Sequence, residues 1–123
     1  MQAEQLFISI LLIHWVADFL FQTSYQAQNK YNNLKALLGH TITYSLCWFV
    51  YLLSAEDSMS LIILFVLITF IMHTLTDFIT SKITHDLYVK KDWHYFFVFI
   101  GIDQILHYVQ LWYTFKILFG IIK

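Results

Sequence analysis

The sequence predicts an all-α fold, a bundle of four transmembrane helices in which two helical hairpins are candidates for an internal repeat. Hydrophobic residues make up 59% of the 123 residues and charged residues 12%, whereas soluble domains carry about 25% charged residues. Pro is absent and Gly occurs 3 times, which disfavours a turn-rich β fold. Four apolar stretches of 17 to 21 residues alternate with polar ones, and about 20 residues cross a hydrocarbon core.

Composition also excludes several functional classes. The length allows a single membrane domain, residues 1–123, and such an apolar chain is neither a soluble enzyme nor a disordered linker. Seven lysines and 8 acidic residues nearly balance, so no basic patch indicates nucleic acid. One cysteine, Cys47, excludes an internal disulfide and a thiolate-rich metal site. The expected partners are membrane lipid and either a second copy of the chain or a larger membrane complex.

The predicted spans are residues 6–22, 36–53, 61–79 and 95–115. Each is expected to be a helix, because only a helix satisfies its own backbone hydrogen bonds in lipid. The polar residues 23–35, 54–60 and 80–94 are the predicted connections. The first span does not resemble a cleavable signal peptide, since no Lys or Arg precedes it and no small-x-small site follows it.

Lysine placement predicts the orientation of the chain. The first and third connections contain basic residues, whereas the second contains only acidic ones, Glu56 and Asp57. Positive residues favour the cytoplasmic side, so both termini are expected outside the cytoplasm, although the C-terminal lysines oppose this weakly. The lysines concerned are Lys30, Lys35, Lys82, Lys90 and Lys91.

Every acidic residue inside a predicted span has a histidine four positions away. Ionisable residues within membranes are costly and mark functional sites. Six histidines in 123 residues would produce three such pairs by chance about once in a thousand arrangements. Residues four apart share one helix face, about 6 Å from each other. The pairs are His14–Asp18, His73–Asp77 and Asp103–His107.

The direction of the pairs places them in one layer. The fourth span crosses the membrane in the direction opposite to the first and third spans, and the order of its Asp and His is also reversed. All three aspartates are therefore expected nearer the cytoplasm, and the three histidines one helical turn, about 5.4 Å, deeper in the membrane. His40 enters the same layer from the second span. The sequence therefore predicts seven candidate metal ligands: His14, Asp18, His40, His73, Asp77, Asp103 and His107.

The residue types restrict the metal. Imidazole and carboxylate ligands without thiolate suit zinc best, with manganese or iron as alternatives. Between one and three ions are expected, and seven ligands favour a two-metal site with ions about 3.5–4 Å apart. Asp103, whose pair is reversed, is also the candidate catalytic base. Side chains expected to orient the ligands by hydrogen bonds are Gln22, Gln104, Thr76 and Tyr44.

Other interpretations of the polar residues remain open. The Asp–His pairs could cross-link the helices by hydrogen bonds, or they could relay protons. Candidate residues for binding an anionic substrate are Lys30, Lys35, Lys82 and His94, although the lysines also fit a plain positive-inside pattern. His85 fits a solvated loop.

The two halves of the chain share a short motif. His14-Trp-Val-Ala-Asp18-Phe19 in the first span matches His73-Thr-Leu-Thr-Asp77-Phe78 in the third span, at an offset of 59 residues. Both spans cross in the same direction, which predicts a parallel repeat about an axis along the membrane normal.

Several motifs resemble an uncharacterised bacterial inner-membrane family, over nearly the whole chain. They are His14-x-x-x-Asp18-Phe-x-x-Gln22, Asn29-Lys30 with Leu34-Lys35-Ala36-Leu37-Leu38-x-His40, His73-x-x-x-Asp77-Phe, and Asp103-Gln104-x-x-His107. The chain also resembles small membrane proteins described as metal-dependent hydrolases. It is more distantly similar to the helical zinc phospholipases C and single-strand nucleases, which use two His-x-x-x-Asp helices, although the chain lacks their N-terminal Trp ligand.

The expected function is a membrane-embedded, zinc-dependent hydrolase of a phosphoester or lipid-borne substrate at the cytoplasmic leaflet. A metal-ion or proton transporter is the first alternative. The second is an accessory protein of a larger complex that is stapled by metal. The nearly apolar outer halves of the spans disfavour a transport path.

Overall fold

The computed structural model describes residues 3–120, and this part of the chain is all-helical, which confirms the predicted all-α class. It contains five α-helices and a π-helical segment that directly continues the first helix. These elements are α1 (Ala3–Trp15), the π-helical segment (Val16–Leu20), α2 (Ser24–Asn29), α3 (Leu34–Ala55), α4 (Met59–Val89) and α5 (Trp93–Phe119).

The four long helices, which are α1 with its π-helical continuation, α3, α4 and α5, form a closed ring. α1 packs against α3 and α5, and α4 packs against the same two helices. α1 and α4 therefore lie diagonally across the bundle, and chain neighbours are adjacent in space, as in an up-down-up-down bundle. The short α2 packs on α3 and covers one end of the ring.

Capping residues set the helix ends. The Thr23 hydroxyl accepts from the backbone N–H of Gln26, whose side chain accepts from the backbone N–H of Thr23, so the two form a capping box before α2. Asn33 and Asp92 accept backbone N–H groups at the starts of α3 and α5. Gly120, with φ of 63°, ends α5 in the left-handed conformation that glycine adopts without strain.

Two helix ends differ from the ends of the predicted spans. α4 continues ten residues beyond position 79, to Val89, and the helical part of the first span ends at Leu20 rather than at residue 22. The extension is polar but stays helical, because residues 80–89 contain no Pro or Gly to end it. The Thr80 and Thr84 hydroxyls donate to carbonyls one turn back within the helix. Polarity alone therefore does not end this helix.

The bundle is apolar outside and polar at part of its interior. Large hydrophobic side chains such as Val50, Phe97 and Ile117 are exposed, whereas several histidines and aspartates are buried. A continuous apolar exterior of this kind indicates contact with lipid, and ionisable groups that face the bundle interior are typical of membrane proteins.

Three helical segments are long and apolar enough to cross a membrane: Ala3–Leu20, Leu34–Ala55 and Met59–Val89. The predicted fourth span lies in α5, which has 27 residues but does not belong to this group. Its apolar run is interrupted by Asp103, Gln104, His107 and Gln110. The structure thus supports three of the four predicted spans by length and composition.

The interior divides into an apolar half and a polar half. The apolar half is built from the start of α1, the end of α3, the start of α4 and the end of α5, where Trp48, Phe65 and Phe115 are fully buried against one another. Leu6, Leu52 and Leu111 complete this packed layer. The opposite half of the same bundle holds the histidines and aspartates.

Candidate metal centre

All seven predicted ligand residues meet in the polar half of the bundle. Six of them are buried, and Asp103 is half-buried, with a side chain that is 13% exposed. Each long helix contributes at least one residue, so the bundle fixes their relative positions. The buried six are His14, Asp18, His40, His73, Asp77 and His107.

Two imidazoles and two carboxylates converge on one point. The Nε2 atom of His40 lies 3.0 Å from Asp18 Oδ1 and 3.2 Å from Asp77 Oδ2. The Nε2 atom of His73 lies 3.4 Å and 3.5 Å from the same two oxygens. The two Nε2 atoms are 3.1 Å apart. We call Asp18, His40, His73 and Asp77 the four-donor group.

Protons alone do not satisfy these contacts. Five short contacts join the four atoms, yet the two Nε2 atoms carry at most one proton each. A zinc ion with ligands at about 2.0–2.2 Å in a tetrahedron would separate its donor atoms by about 3.4 Å. The observed separations of 3.0 to 3.5 Å match such a donor set.

The other ring nitrogens of the same histidines point away from polar groups. The Nδ1 atoms of His40 and His73 are buried and have no hydrogen-bond partner in residues 3–120. The His73 ring stacks on Tyr44 at 3.7 Å and on His107 at 4.1 Å between centroids. Ring packing therefore fixes the orientation of His73, and its polar contacts lie on the Nε2 side.

A second group of potential ligands adjoins the first and shares Asp18 with it. Ligand atoms of Asp18, Asp103 and His107 lie within 4.8 Å of one another. The Nε2 atom of His107 lies 3.3 Å from Asp103 Oδ2 and 3.1 Å from Asp77 Oδ1. We call Asp18, Asp103 and His107 the three-donor group.

The π-helical segment positions Asp18. The helix is wider over residues 16–20, because the Phe21 N–H donates to the Val16 carbonyl, five residues back, at 3.0 Å. Both Ala17 and Asp18 are buried as a result. Single π-turns inside helices frequently mark functional sites, and this one turns the carboxylate into the bundle.

His14 orients its neighbours rather than joining either donor group. Its Nδ1 lies 2.7 Å from the Tyr44 hydroxyl and its Nε2 lies 2.6 Å from Gln104 Oε1. The Gln104 amide nitrogen then donates to Asp18 Oδ2 at 3.2 Å and to Asp103 Oδ2 at 3.1 Å. Both ring nitrogens of His14 thus have hydrogen-bond partners, Nε2 also lies 3.5 Å from Asp18 Oδ2, and the predicted role of His14 as a metal ligand stays a prediction.

The two helical hairpins, α1 with α3 and α4 with α5, make equivalent contacts. Asp18 in the first hairpin bonds His40 at 3.0 Å, and Asp77 in the second hairpin bonds His107 at 3.1 Å. In each case the aspartate of a His-x-x-x-Asp helix meets a histidine of the next long helix. The internal repeat of two related hairpins stays a prediction.

A lysine completes the polar layer. The Lys30 ammonium, at the C-terminal end of α2, donates to Asp77 Oδ2 at 2.8 Å. Burial lowers the pKa of Lys30, but the nearby carboxylates of Asp77 and Asp18 raise it by more than burial lowers it. The pKa of Lys30 therefore lies above its usual value. Lys30 therefore stays charged and offsets part of the carboxylate charge.

A cavity of about 720 Å³ opens beside the three-donor group. Asp18, Asp103, Gln104 and Lys30 line it at the cluster, and its size falls within the range of about 300–1,000 Å³ of small-molecule sites. A stacked pair, Tyr31 and His85 at 3.5 Å between centroids, forms part of the wall.

The remaining predicted residues lie at different distances from this cavity. Gln22 lines it, but its Oε1 atom has no hydrogen-bond partner in residues 3–120, so its predicted role in orienting the ligands stays a prediction. Lys35, Lys82 and His94 are exposed and do not line it; the Lys82 ammonium lies 3.6 Å from the centre of the Phe78 ring instead. Of the four residues predicted to bind substrate, the structure brings only Lys30 to the cluster.

Thr76 and His85 also differ from their predicted places. Thr76 is half-buried on α4, and its carbonyl accepts the Thr80 hydroxyl. His85, predicted as a solvated loop residue, lies on α4 and lines the cavity. Its spacing of eight from Asp77, about two helical turns, could have indicated this face only if α4 had been predicted to continue.

The chain belongs to the family of proteins of unknown function DUF3307, which matches residues 6–121. This confirms the expected membership of a family whose function is unassigned. No curated protein and no solved structure matches the chain. The distant similarity to zinc phospholipases C and nucleases stays a prediction.

The hydrogen bonds of His14 predict its tautomer. Gln104 Oε1 can only accept, so His14 carries its proton on Nε2 and accepts the Tyr44 hydroxyl at Nδ1. Nitrogen-15 NMR of histidine-labelled protein should show the Nε2–H tautomer. Tyr44→Phe should retain it, whereas Gln104→Leu, which removes the acceptor, should remove that preference. An Nδ1–H tautomer in the parent protein would contradict the network; Tyr113→Phe, an exposed position, is the control.

Proposed function

We propose that this protein is a membrane-embedded, metal-dependent hydrolase with two zinc ions. The observation that carries the proposal is the pair of adjoining donor groups, which share Asp18 and stand at the wall of a cavity. Two divalent ions that share a carboxylate are a common arrangement for cleaving phosphoester bonds. The reaction is therefore hydrolysis of a phosphoester or another lipid-borne bond.

The two ions have different roles in this proposal. The four-donor group supplies four protein ligands, which is the closed set of a structural zinc site. The three-donor group supplies three ligands, which is the number in catalytic zinc sites that keep one position for water. Asp18 and Asp103 of the three-donor group line the cavity, so substrate would arrive on that side.

The chain's own residues prepare the site for hydrolysis. Gln104 holds the carboxylates of Asp18 and Asp103 by hydrogen bonds, and Thr80 donates to Asp103 Oδ1 at 2.6 Å. A zinc ion lowers the pKa of bound water to about 7 and so supplies hydroxide at neutral pH. Asp103 is best placed as a ligand of the second ion, and a separate role as general base is the alternative.

The membrane setting is part of the same proposal. We assign four spans, including α5, because α5 closes the ring between α1 and α4 and carries an exposed apolar face with Phe97, Ile105 and Ile117. The proposed location is the bacterial inner membrane, and the lysine pattern puts the cluster near the cytoplasmic side.

Two alternatives are distinguishable. A transporter needs a polar path on both sides of the cluster, but Trp48, Leu52, Phe65, Leu111 and Phe115 fill the other half of the described bundle. A metal-stapled accessory protein is favoured by the closed four-donor group alone. Such a protein would bind metal without turning over any substrate.

Reporter fusions test the span number and the orientation. Alkaline phosphatase, which is active only outside the cytoplasm, should be active when fused after Asp57 and after Lys123 and inactive after Lys91. This pattern follows from four spans with both termini outside. Activity after Asp57 but not after Lys123 would show that α5 does not cross, and activity only after Lys91 would reverse the orientation.

Metal content tests the two donor groups. Protein purified in detergent without chelator should contain about two zinc ions per chain by elemental analysis, since occupied sites approach full stoichiometry. His40→Gln should remove the ion of the four-donor group and lower the content to about one or less. His94→Gln, at an exposed position, should change nothing. Less than about 0.2 zinc per folded parent chain would contradict the proposal.

Asp103→Asn separates chemistry from structure. It should remove the second ion, keep the first, and lower hydrolysis of bis(p-nitrophenyl) phosphate by at least about 100-fold, since a missing catalytic metal removes several kcal/mol of transition-state stabilisation. Asp86→Asn, exposed on α4, is the matched control. Two retained ions with lost turnover would make Asp103 a general base, and unchanged turnover would remove it from the mechanism.

A further inference from the structure

The cavity beside the metal centre has two chemically different parts. Near the cluster its wall is polar, with Gln22, Ser81 and Thr84 beside the residues of the three-donor group. Toward the C-terminal end of α4 and the N-terminal end of α5 the wall contains Tyr88, Val89, Phe96 and Ile100, and Phe19 adds an apolar side chain next to Asp18. A ligand that fits both parts must itself carry a polar and an apolar portion.

Two polar atoms in this wall lack partners. The Ser81 hydroxyl and the Gln22 Oε1 atom are buried and have no hydrogen-bond partner in the described part of the chain, and Ser81 is only 7% exposed. Buried polar groups are nearly always paired. Both residues line the cavity. A ligand oxygen that accepts would satisfy the Ser81 hydroxyl, whereas Gln22 Oε1 needs a ligand group that donates.

The apolar part of the cavity is exposed at its rim. Phe19, Tyr88 and Val89 are 46%, 56% and 64% exposed. Trp93, the first residue of α5, is also exposed, and its ring packs against that of Tyr88 at 5.5 Å between centroids. Exposed aromatic residues at a helix end are typical of the membrane interface. A hydrocarbon chain that leaves the cavity on this side would lie along the exposed side chains of Phe19, Tyr88 and Val89.

Charge determines which headgroup the polar part accepts. Three carboxylates, Asp18, Asp77 and Asp103, face one ammonium, Lys30, so the formal charge is about −2 with neutral histidines. Two divalent ions would change it to about +2. The loaded site then attracts an anion at the same place where the Ser81 hydroxyl can donate a hydrogen bond.

We propose that this cavity binds an amphiphile with a phosphate-type headgroup and a hydrocarbon chain, a proposal that rests on the two-metal function proposed above. The headgroup contacts the three-donor group, Lys30 and Ser81, and the chain leaves along Phe19, Tyr88 and Val89. A soluble phosphate shares the headgroup chemistry but would make no use of the apolar wall.

Phosphonates test this assignment, because their carbon–phosphorus bond resists phosphoester hydrolysis. Zinc-loaded protein in detergent is titrated with dodecylphosphonate, with methylphosphonate, which lacks the chain, and with dodecanol, which lacks the anion. Dodecylphosphonate should bind at least about ten-fold more tightly than either fragment, since both wall types contribute. Zinc content is measured on the same sample.

Paired variants locate the two ends of the ligand. Ser81→Ala should weaken both phosphonates by about 3- to 10-fold, the effect of one lost hydrogen bond, while Ser60→Ala, exposed at the start of α4, changes nothing. Val89→Ser should weaken only dodecylphosphonate. Val50→Ser, 66% exposed at the opposite end of the bundle, is its control.

The outcomes separate the two proposals. Zinc-loaded protein that binds methylphosphonate as tightly as dodecylphosphonate would overturn the amphiphile and leave a soluble phosphate as ligand. Equal binding of dodecanol would overturn recognition of the anion. A folded preparation without zinc would instead overturn the metal-dependent function on which the inference depends.

Discussion

Asp18 and Asp77 are carboxylates that are almost fully buried inside a bundle with an apolar exterior, and the rest of the structure depends on how their charge is compensated. Burying a charge is costly unless it is paired and hydrogen-bonded. Here His40, His73 and His107 approach the two carboxylates from three different helices, and Lys30 approaches Asp77 from α2. A bound cation would compensate the same charge more completely than neutral imidazoles do.

This constraint explains how the bundle divides its interior. Trp48, Phe65 and Phe115 pack one half tightly, so the helices cannot separate there without losing buried aromatic contacts. The apolar half fixes the positions of the helices relative to one another. The other half carries buried polar groups, which are more favourably solvated by water. The rigid packing also keeps donor atoms within 3.0 to 3.5 Å of each other, which suits a site whose ligands must be positioned in advance.

Much of the site could be predicted from the sequence, because residues four apart in a helix share a face and alternate helices reverse direction. The pairs of Asp18, Asp77 and Asp103, and the entry of His40 at their depth, follow from that regularity. The hydrogen bonds of His14 could not be predicted, because their partners, Tyr44 and Gln104, come from other helices. The π-helical turn and the extension of α4 leave no simple signal in composition. α5 is less hydrophobic than the three candidate spans, because Asp103, Gln104, His107 and Gln110 interrupt its apolar run.

X-ray absorption at the zinc edge tests the central claim most directly, because it reports the atoms around the metal rather than its amount. The two donor groups predict nitrogen and oxygen ligands at about 2.0–2.2 Å, scattering from imidazole rings, and a second zinc at about 3.5–4 Å. Zinc that is surrounded only by water oxygens, or that is bound by sulfur from Cys47, would contradict a metal centre built from these histidines and aspartates.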